Sequence, residues 1–461
     1  MLKRCLALTM CILLIVSCSS NEKGNDQGEQ SSALDIDVEK RVLDNGLKVL
    51  IVKNSSLPIF SLYTFYDVGG RFEGEGTTGA THFLEHMLFR KTKNYPSGYF
   101  SNFVDSNGGS SNAYTTFDNT VYYEKLPIEN LGKTLELEAE RMSNVVLDPE
   151  EFEKERGAVL EERKMRYENS PRGKMYSAMM KTMFEGTPYG GSVIGAKEDV
   201  LNLSREKMLD FYKDFYAPNN ATVVLVGDVE SDNAFDMIEE TLGKLKKNEK
   251  LKSIKEKYSK NKSYDSKAKL PKVIGLRGQS PTPMFSLSFP APKVGNDEAY
   301  ALDFLSSILG DGVSSYLNQE FVTGRRPKLT NVYAANYTLK NSGVFFIQGQ
   351  LLDRVSIRGF RKKLFRSLKK ACDKAIDERS LKKTQNNVLL SYYSNITNNS
   401  GLASFLGQNE FFHGDYAWYK NELEIYNNMT VKKVKDVCKK YLDPKKSAFI
   451  SIWNKHKRTK L

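Results

Sequence analysis

Histidine is scarce in this 461-residue sequence: there are four, and two of them fall within five positions of each other. Cysteine is also sparse, at five, and two of these, Cys5 and Cys11, lie in a leader-like segment. A mature chain keeping only Cys18, Cys372 and Cys438 has too few for a disulfide framework. With Cys18 lipidated, Cys372 and Cys438 are left and could pair, but both sit in helix-like segments, so two buried thiols are the simpler expectation. The N-terminal apolar run is too short to span a membrane comfortably. No arginine-rich arm or aromatic-interleaved basic motif is present, so the net charge of +12 does not point to nucleic acid. It reads as a solvated basic surface, or as a basic wall that attracts acidic peptides. With 40% hydrophobic and 27% charged residues the chain is globular rather than disordered. Its length suits two domains of about 200 residues each.

The N-terminus carries an address. Lys3 and Arg4 precede an apolar run that ends at Ile15-Val16-Ser17-Cys18, the layout of an export signal over 1–17. The small residue before Cys18 resembles a bacterial lipobox, which makes Cys18 the lipidated first residue of the mature chain. Residues 18–35 are polar enough to be a flexible tether. Ser19 replaces the aspartate that often retains lipoproteins at the inner membrane. The expectation is a bacterial envelope protein, lipid-anchored on the periplasmic side of the outer membrane.

An internal repeat organises the rest. PIFSLYTF (58–65) recurs as PMFSLSFP (283–290), an offset of 225. FYAPNNATVVLVGD (215–228) is echoed by YLDPKKSAFISIW (441–453), with Pro218 matching Pro444 at an offset of 226. Ser204 and Thr430 stand as N-caps before the preceding helices. Two related α/β domains are therefore expected, 36–245 and 271–461, joined by a lysine-rich linker, 246–270. Within the first, Asp44-Asn45-Gly46 marks a hairpin, a helix should cover about 77–90, and SSNAYTT and TVYYEKL read as a strand pair. Interspersed helices and hairpins make the class α+β, each sheet mostly antiparallel and covered by helices.

The two close histidines lie in THFLEHMLF (81–89). His82 and His86 are four apart and share a helix face. Two imidazoles so placed can reach one cation at about 2.0–2.1 Å from each ring nitrogen. Glu85 leans toward the same region without being a ligand, as metal-assisted hydrolysis needs: the cation acidifies water and the glutamate takes the proton. H-x-x-E-H is the inverted form of the zincin motif. A third ligand is required. The candidates are carboxylates of FEKERGAVLEERKM, where Glu155 and Glu162 are seven apart and face one way on a helix. One can ligate while the other orients a histidine.

At these residues the chain resembles the pitrilysin/insulinase family of zinc metallopeptidases, at the length of single subunits such as those of the mitochondrial processing peptidase. VGGRFEGEGTTGATHFLEHMLF resembles the family's metal-binding segment, GGSSNAYTTFDNTVYYEKLP its substrate-binding strands, and EFEKERGAVLEE the helix with the third ligand. TPYGGSVIGAKEDVLNLSREKMLDFYKDFYAPNNATVVLVGDV resembles the end of its first domain. The resemblance implies His82, His86 and Glu162 as ligands of one zinc per chain, Glu85 as general base and Glu155 as a supporting acid. It places Asn112 and Ala113 on an edge strand that holds the substrate backbone by β-augmentation. It also implies a clamshell chamber of four domains, of which this chain supplies half. The partner would be a second copy, or a related subunit carrying the family's Arg/Tyr pair. In the second half of this chain Arg326 and Tyr333 have that pair's seven-residue spacing, and aligning them requires a short insertion. The activity implied is hydrolysis of peptides or unfolded segments, with no nucleic-acid partner. The rival reading is a non-catalytic scaffold or chaperone-like subunit of a peptidase-like complex.

Overall fold

The computed structural model describes residues 34–454 apart from 261, 279 and 281. The export signal, Cys18 and nearly all of the tether lie outside the described residues. The first hairpin forms as its turn residues dictate. Gly46 takes a φ of 82°, Asn45 Oδ1 accepts from the Leu47 N–H at 3.1 Å, and β1 (Glu39–Val42) folds back antiparallel on β2 (Lys48–Lys53). The mostly apolar run at 59–66 becomes β3 (Ile59–Tyr66), and the SSNAYTT/TVYYEKL pair becomes β4 (Ser110–Thr115) and β5 (Thr120–Pro127). With β6 (Ala221–Gly227), buried along its whole length, these strands make one sheet in the order β1-β2-β6-β3-β5-β4. Only the β2–β6 pair is parallel.

The second sheet repeats this wiring. It comprises β7 (Lys272–Gly278), β8 (Met284–Ala291), β9 (Leu329–Thr338), β10 (Gly343–Leu351) and β11 (Ala448–Asn454), in the order β7-β11-β8-β10-β9, again with one parallel pair, β7–β11. The two repeated stretches seen in the sequence are β3 with β8 and β6 with β11. Their local signals coincide. Ser204 Oγ accepts from the Lys207 N–H and Thr430 Oγ1 from the Lys433 N–H, while Pro218 and Pro444 each open a short 3₁₀ turn before the returning strand. The architecture is α+β, with mostly antiparallel sheets carrying helices.

The sheets belong to one compact unit that begins at Ile36, because each half lends the other a helix. Pro171–Met183 packs on β8 and β11, and Asn399–His413 packs on β3 and β6. Gly407 is required in the second of these: a Cβ there would lie 2.0 Å from Phe65 Cε2. The lysine-rich stretch is also tied down. Its Leu251–Ser259 helix sets Tyr258 against Phe211 and Phe215, and Lys255 Nζ meets Asp67 Oδ2 at 2.7 Å.

Two expectations need correction. Cys372 and Cys438 are not free thiols. The Ile357–Lys374 and Val431–Tyr441 helices lie side by side and bring the Cα atoms to 5.5 Å, where the two residues form a disulfide. Sequence placed each cysteine on a helix and was silent on which helices touch. The helix expected over 77–90 is shorter, Ala80–Met87, because Gly76 and Gly79 take φ values of 78° and 89° and hold the preceding turn outside the right-handed region. No described helix is long and apolar enough to cross a membrane.

Candidate metal centre

His82 and His86 project from one face of the Ala80–Met87 helix with ring centroids 4.8 Å apart. The facing carboxylates come from the Pro149–Arg163 helix, whose start is encoded locally. Asp148 accepts from the Glu150 and Glu151 N–H groups, and proline occupies the first position. The two helices pack together, and stacked Phe83 and Phe152 rings fix their contact. Glu162 Oε2 lies 3.2 Å from His86 Nε2 and 3.7 Å from His82 Nε2. One ligand atom from each of the three residues falls within 4.8 Å of the others, and this is the only such three-ligand cluster among the described residues. Just past Glu162 the helix widens into a π turn, Lys164–Glu168, and Arg166 Nη2 returns to Glu162 Oε1 at 2.8 Å.

Glu155, two turns before Glu162, meets the other nitrogen of the same ring. Its Oε1 is 2.8 Å from His86 Nδ1, and its Oε2 accepts from Arg90 at 2.7 Å. Electrostatics separate the histidines. Burial pushes His82 down to about 4, helped by the neighbouring His86 charge. Burial also disfavours charge on His86, but Glu155 and Glu162 outweigh it and hold the imidazole up at about 9. The His86 ring in turn holds Glu162 below the ordinary carboxylate range. Burial raises Glu85, opposed by a hydrogen bond from the Thr115 hydroxyl to Oε2.

These groups line a cavity of about 560 Å³ whose wall includes Asn112 and Ala113. Both lie on β4, which is the edge of its sheet and pairs with β5 alone among the described strands. The Ala113 N–H donates to Asn112 Oδ1 at 2.8 Å on the exposed side. Arg326 and Tyr333 do not line this cavity. Tyr333, on β9, donates to Gln348 Oε1 and feels the charge of Arg172. Sequence reasoning missed Thr115, Arg90 and Arg166. Arg166 had a readable signal, since it stands four residues after Glu162 in a helical stretch; Arg90 lies past the end of the histidine helix and had none.

The residues fit zinc. Two imidazoles and one carboxylate are a usual three-ligand catalytic set. Glu162 Oε2 is buried and aimed at both rings, with no well-formed hydrogen bond to satisfy it.

Similar proteins identify the family. Residues 48–197 match the family described as insulinase (peptidase family M16), and residues 202–388 match the peptidase M16 inactive domain. A relative named zinc protease PqqE, from Helicobacter pylori, is 31% identical over 419 residues, covering 91% of this chain and 90% of the relative. The crystal structure of a protease from Helicobacter pylori superposes with a TM-score of 0.81 at 28% identity, over 90% of this chain and 99% of that one. The periplasmic protease PqqL from Escherichia coli shares the fold with a TM-score of 0.74 at 19% identity, over 92% of this chain but 48% of that one. By the relative's identity and coverage and the two matched family segments, the chain belongs to the pitrilysin/insulinase family of peptidases, M16.

Proposed function

We propose that the chain is a zinc-dependent endopeptidase acting on peptides or unfolded protein segments, with one zinc held by His82, His86 and Glu162. The observation that carries this reading is the convergence of both histidine Nε2 atoms on Glu162 Oε2 with Glu85 beside them. Zinc bound there supplies Lewis-acid polarisation of a carbonyl and a nucleophilic water at neutral pH. The chain's residues supply the rest. Thr115 occupies Glu85 Oε2, which leaves Oε1 to take the proton of the attacking water and pass it to the leaving amine. Burial raises Glu85, which makes it a stronger base. Glu155 accepts the proton held on His86 Nδ1, so a metal that displaces the Nε2 proton would find that nitrogen oriented as its ligand. Along β4, an extended substrate replaces the exposed Asn112–Ala113 bond and adds a strand to the sheet.

A complete chamber needs a partner, either a second copy or a related subunit carrying an Arg/Tyr pair. The solved Escherichia coli chain, about twice the matched length, supports this. The Cys372–Cys438 disulfide supports an oxidising compartment such as the bacterial envelope. That fits export, lipidation of Cys18 and anchoring on the periplasmic side of the outer membrane.

The test is hydrolysis of a quenched-peptide library by residues 19–461, beside Glu85→Gln. Wild-type turnover should fall about 10²–10⁴-fold in the variant, with zinc retained. Turnover that survives in Glu85→Gln removes Glu85 from the reaction. Bound zinc with no wild-type turnover indicates that the partner subunit is required.

A further inference from the structure

The histidine helix begins without the usual side-chain cap. Its N-cap is Gly79, at a φ of 89°, which has nothing to offer the first-turn amides. Glu73 supplies the acceptor from outside the helix. Its Oε2 accepts from the Gly79 N–H and its Oε1 from the Thr81 N–H, each at 2.8 Å, and the carboxylate is buried. The turn beneath has no room to shift. A Cβ on Gly79 would lie 2.5 Å from Ile194 O, and one on Gly195 would lie 2.3 Å from Thr78 O. From behind, Lys262 of the lysine-rich stretch donates to Glu73 O at 2.6 Å and to Arg71 O at 2.9 Å. Its charge opposes the burial that raises the Glu73 carboxyl to about 7. Burial in turn lowers Lys262 to about 8, against the pull of Glu73.

We propose that Glu73 is a positioning residue for the metal centre: through the N-cap amide of Gly79 and the first-turn amide of Thr81 it sets the height and rotation of the helix bearing His82, Glu85 and His86, and Lys262 holds Glu73 in place. His82 follows Thr81 directly, so a slip of the first turn reaches the imidazole undamped. In its ionised form the carboxylate also meets the positive end of the helix dipole. The lysine-rich stretch thereby serves the site as well as connecting the two sheets. The proposal rests on the zinc reading above.

The experiment compares residues 19–461 as wild type, Glu73→Gln and Lys262→Met. The readouts are zinc affinity by chelator competition, amide hydrogen exchange at residues 79–87, and kcat separately from KM. Glu73→Gln keeps the shape but can accept through one oxygen only. It should lose about tenfold in zinc affinity, the scale of outer-sphere metal-site changes. Exchange at 79–87 should quicken, and kcat should fall with KM unchanged. Lys262→Met should move the same readouts less far. A folded Glu73→Gln with wild-type zinc affinity and wild-type exchange at 79–87 overturns the proposal. If Glu73→Gln does not fold, wild-type values in Lys262→Met overturn it instead. A wild type that binds no zinc defeats the zinc reading, and exchange at 79–87 then decides the role of Glu73 alone.

Discussion

The two halves share their wiring and differ in their chemistry. Both run a hairpin edge, a central strand, crossover helices and a returning strand, with matching N-caps before equivalent helices. Asp148 and Asp377 both cap the helix that, in the first half, carries the carboxylates. Seven and fourteen residues beyond the cap the first half has Glu155 and Glu162, and the second has Thr384 and Ser391. The helix after β3 bears two histidines, while the one after β8, Asp297–Gly310, bears none. Instead it carries Asp303, half-buried, which accepts from Asn336 and from the Tyr426 hydroxyl. Charge diverges too: residues 36–245 hold 24 lysines and arginines against 34 acids, and residues 271–454 hold 27 against 15. Duplication thus keeps caps and strand order, which the fold needs, and leaves the helix faces to vary. The match of residues 202–388 to an M16 inactive domain agrees with a second half that lacks the ligand set.

The comparison can be broken most sharply at the carboxylates. Glu155→Gln should cost about 10–100-fold in zinc affinity or activity, the scale for a residue that orients a ligating histidine. Ser391→Ala, at the position equivalent to Glu162, should change neither. Equal effects from the two in a peptidase and zinc-binding assay would dissolve the distinction between the halves.

A smaller effect separates them by stability. The second half is stapled by a disulfide closing 66 residues. Cys372→Ser should cost about 2–4 kcal/mol in denaturant unfolding. Amide exchange should rise in the Ile357–Lys374 and Val431–Tyr441 helices before it rises around His82. Uniform softening of both halves would argue that the unit unfolds only as a whole.

The smallest effect concerns pH. Burial, reinforced by the Asp303 charge, raises Glu422 to about 7. An acid whose value is raised on folding stabilises the fold while protonated. Its contribution is full below the ordinary carboxylate range and is lost as pH rises through 7. The melting temperature should therefore fall between pH 5.5 and 8. Glu422→Gln, which can still accept from the Tyr392 hydroxyl, should flatten that slope. An unchanged slope would place the buried acid elsewhere.

What the sequence revealed was mostly local. Asn45-Gly46, Ser204, Thr430 and the 225-residue repeat act through neighbouring residues, and the structure shows each acting as read. The His82/His86 and Glu155/Glu162 spacings follow from helix geometry, so the faces were legible before their meeting was. Contacts distant in sequence were not. Nothing local pairs Cys372 with Cys438, sends Pro171–Met183 under the second sheet, or seats Gly407 against Phe65. Glu73 was hidden for a related reason: it caps a helix from outside, where pattern reading looks for Ser, Thr, Asp or Asn at the cap itself.

The most direct test of the account is the zinc content of purified residues 19–461, measured by elemental analysis for wild type, Glu162→Gln and Ser391→Ala. The account predicts one zinc per chain in wild type and Ser391→Ala, and strongly reduced zinc in Glu162→Gln. Zinc that persists undiminished in Glu162→Gln, or a second zinc per chain, would contradict it.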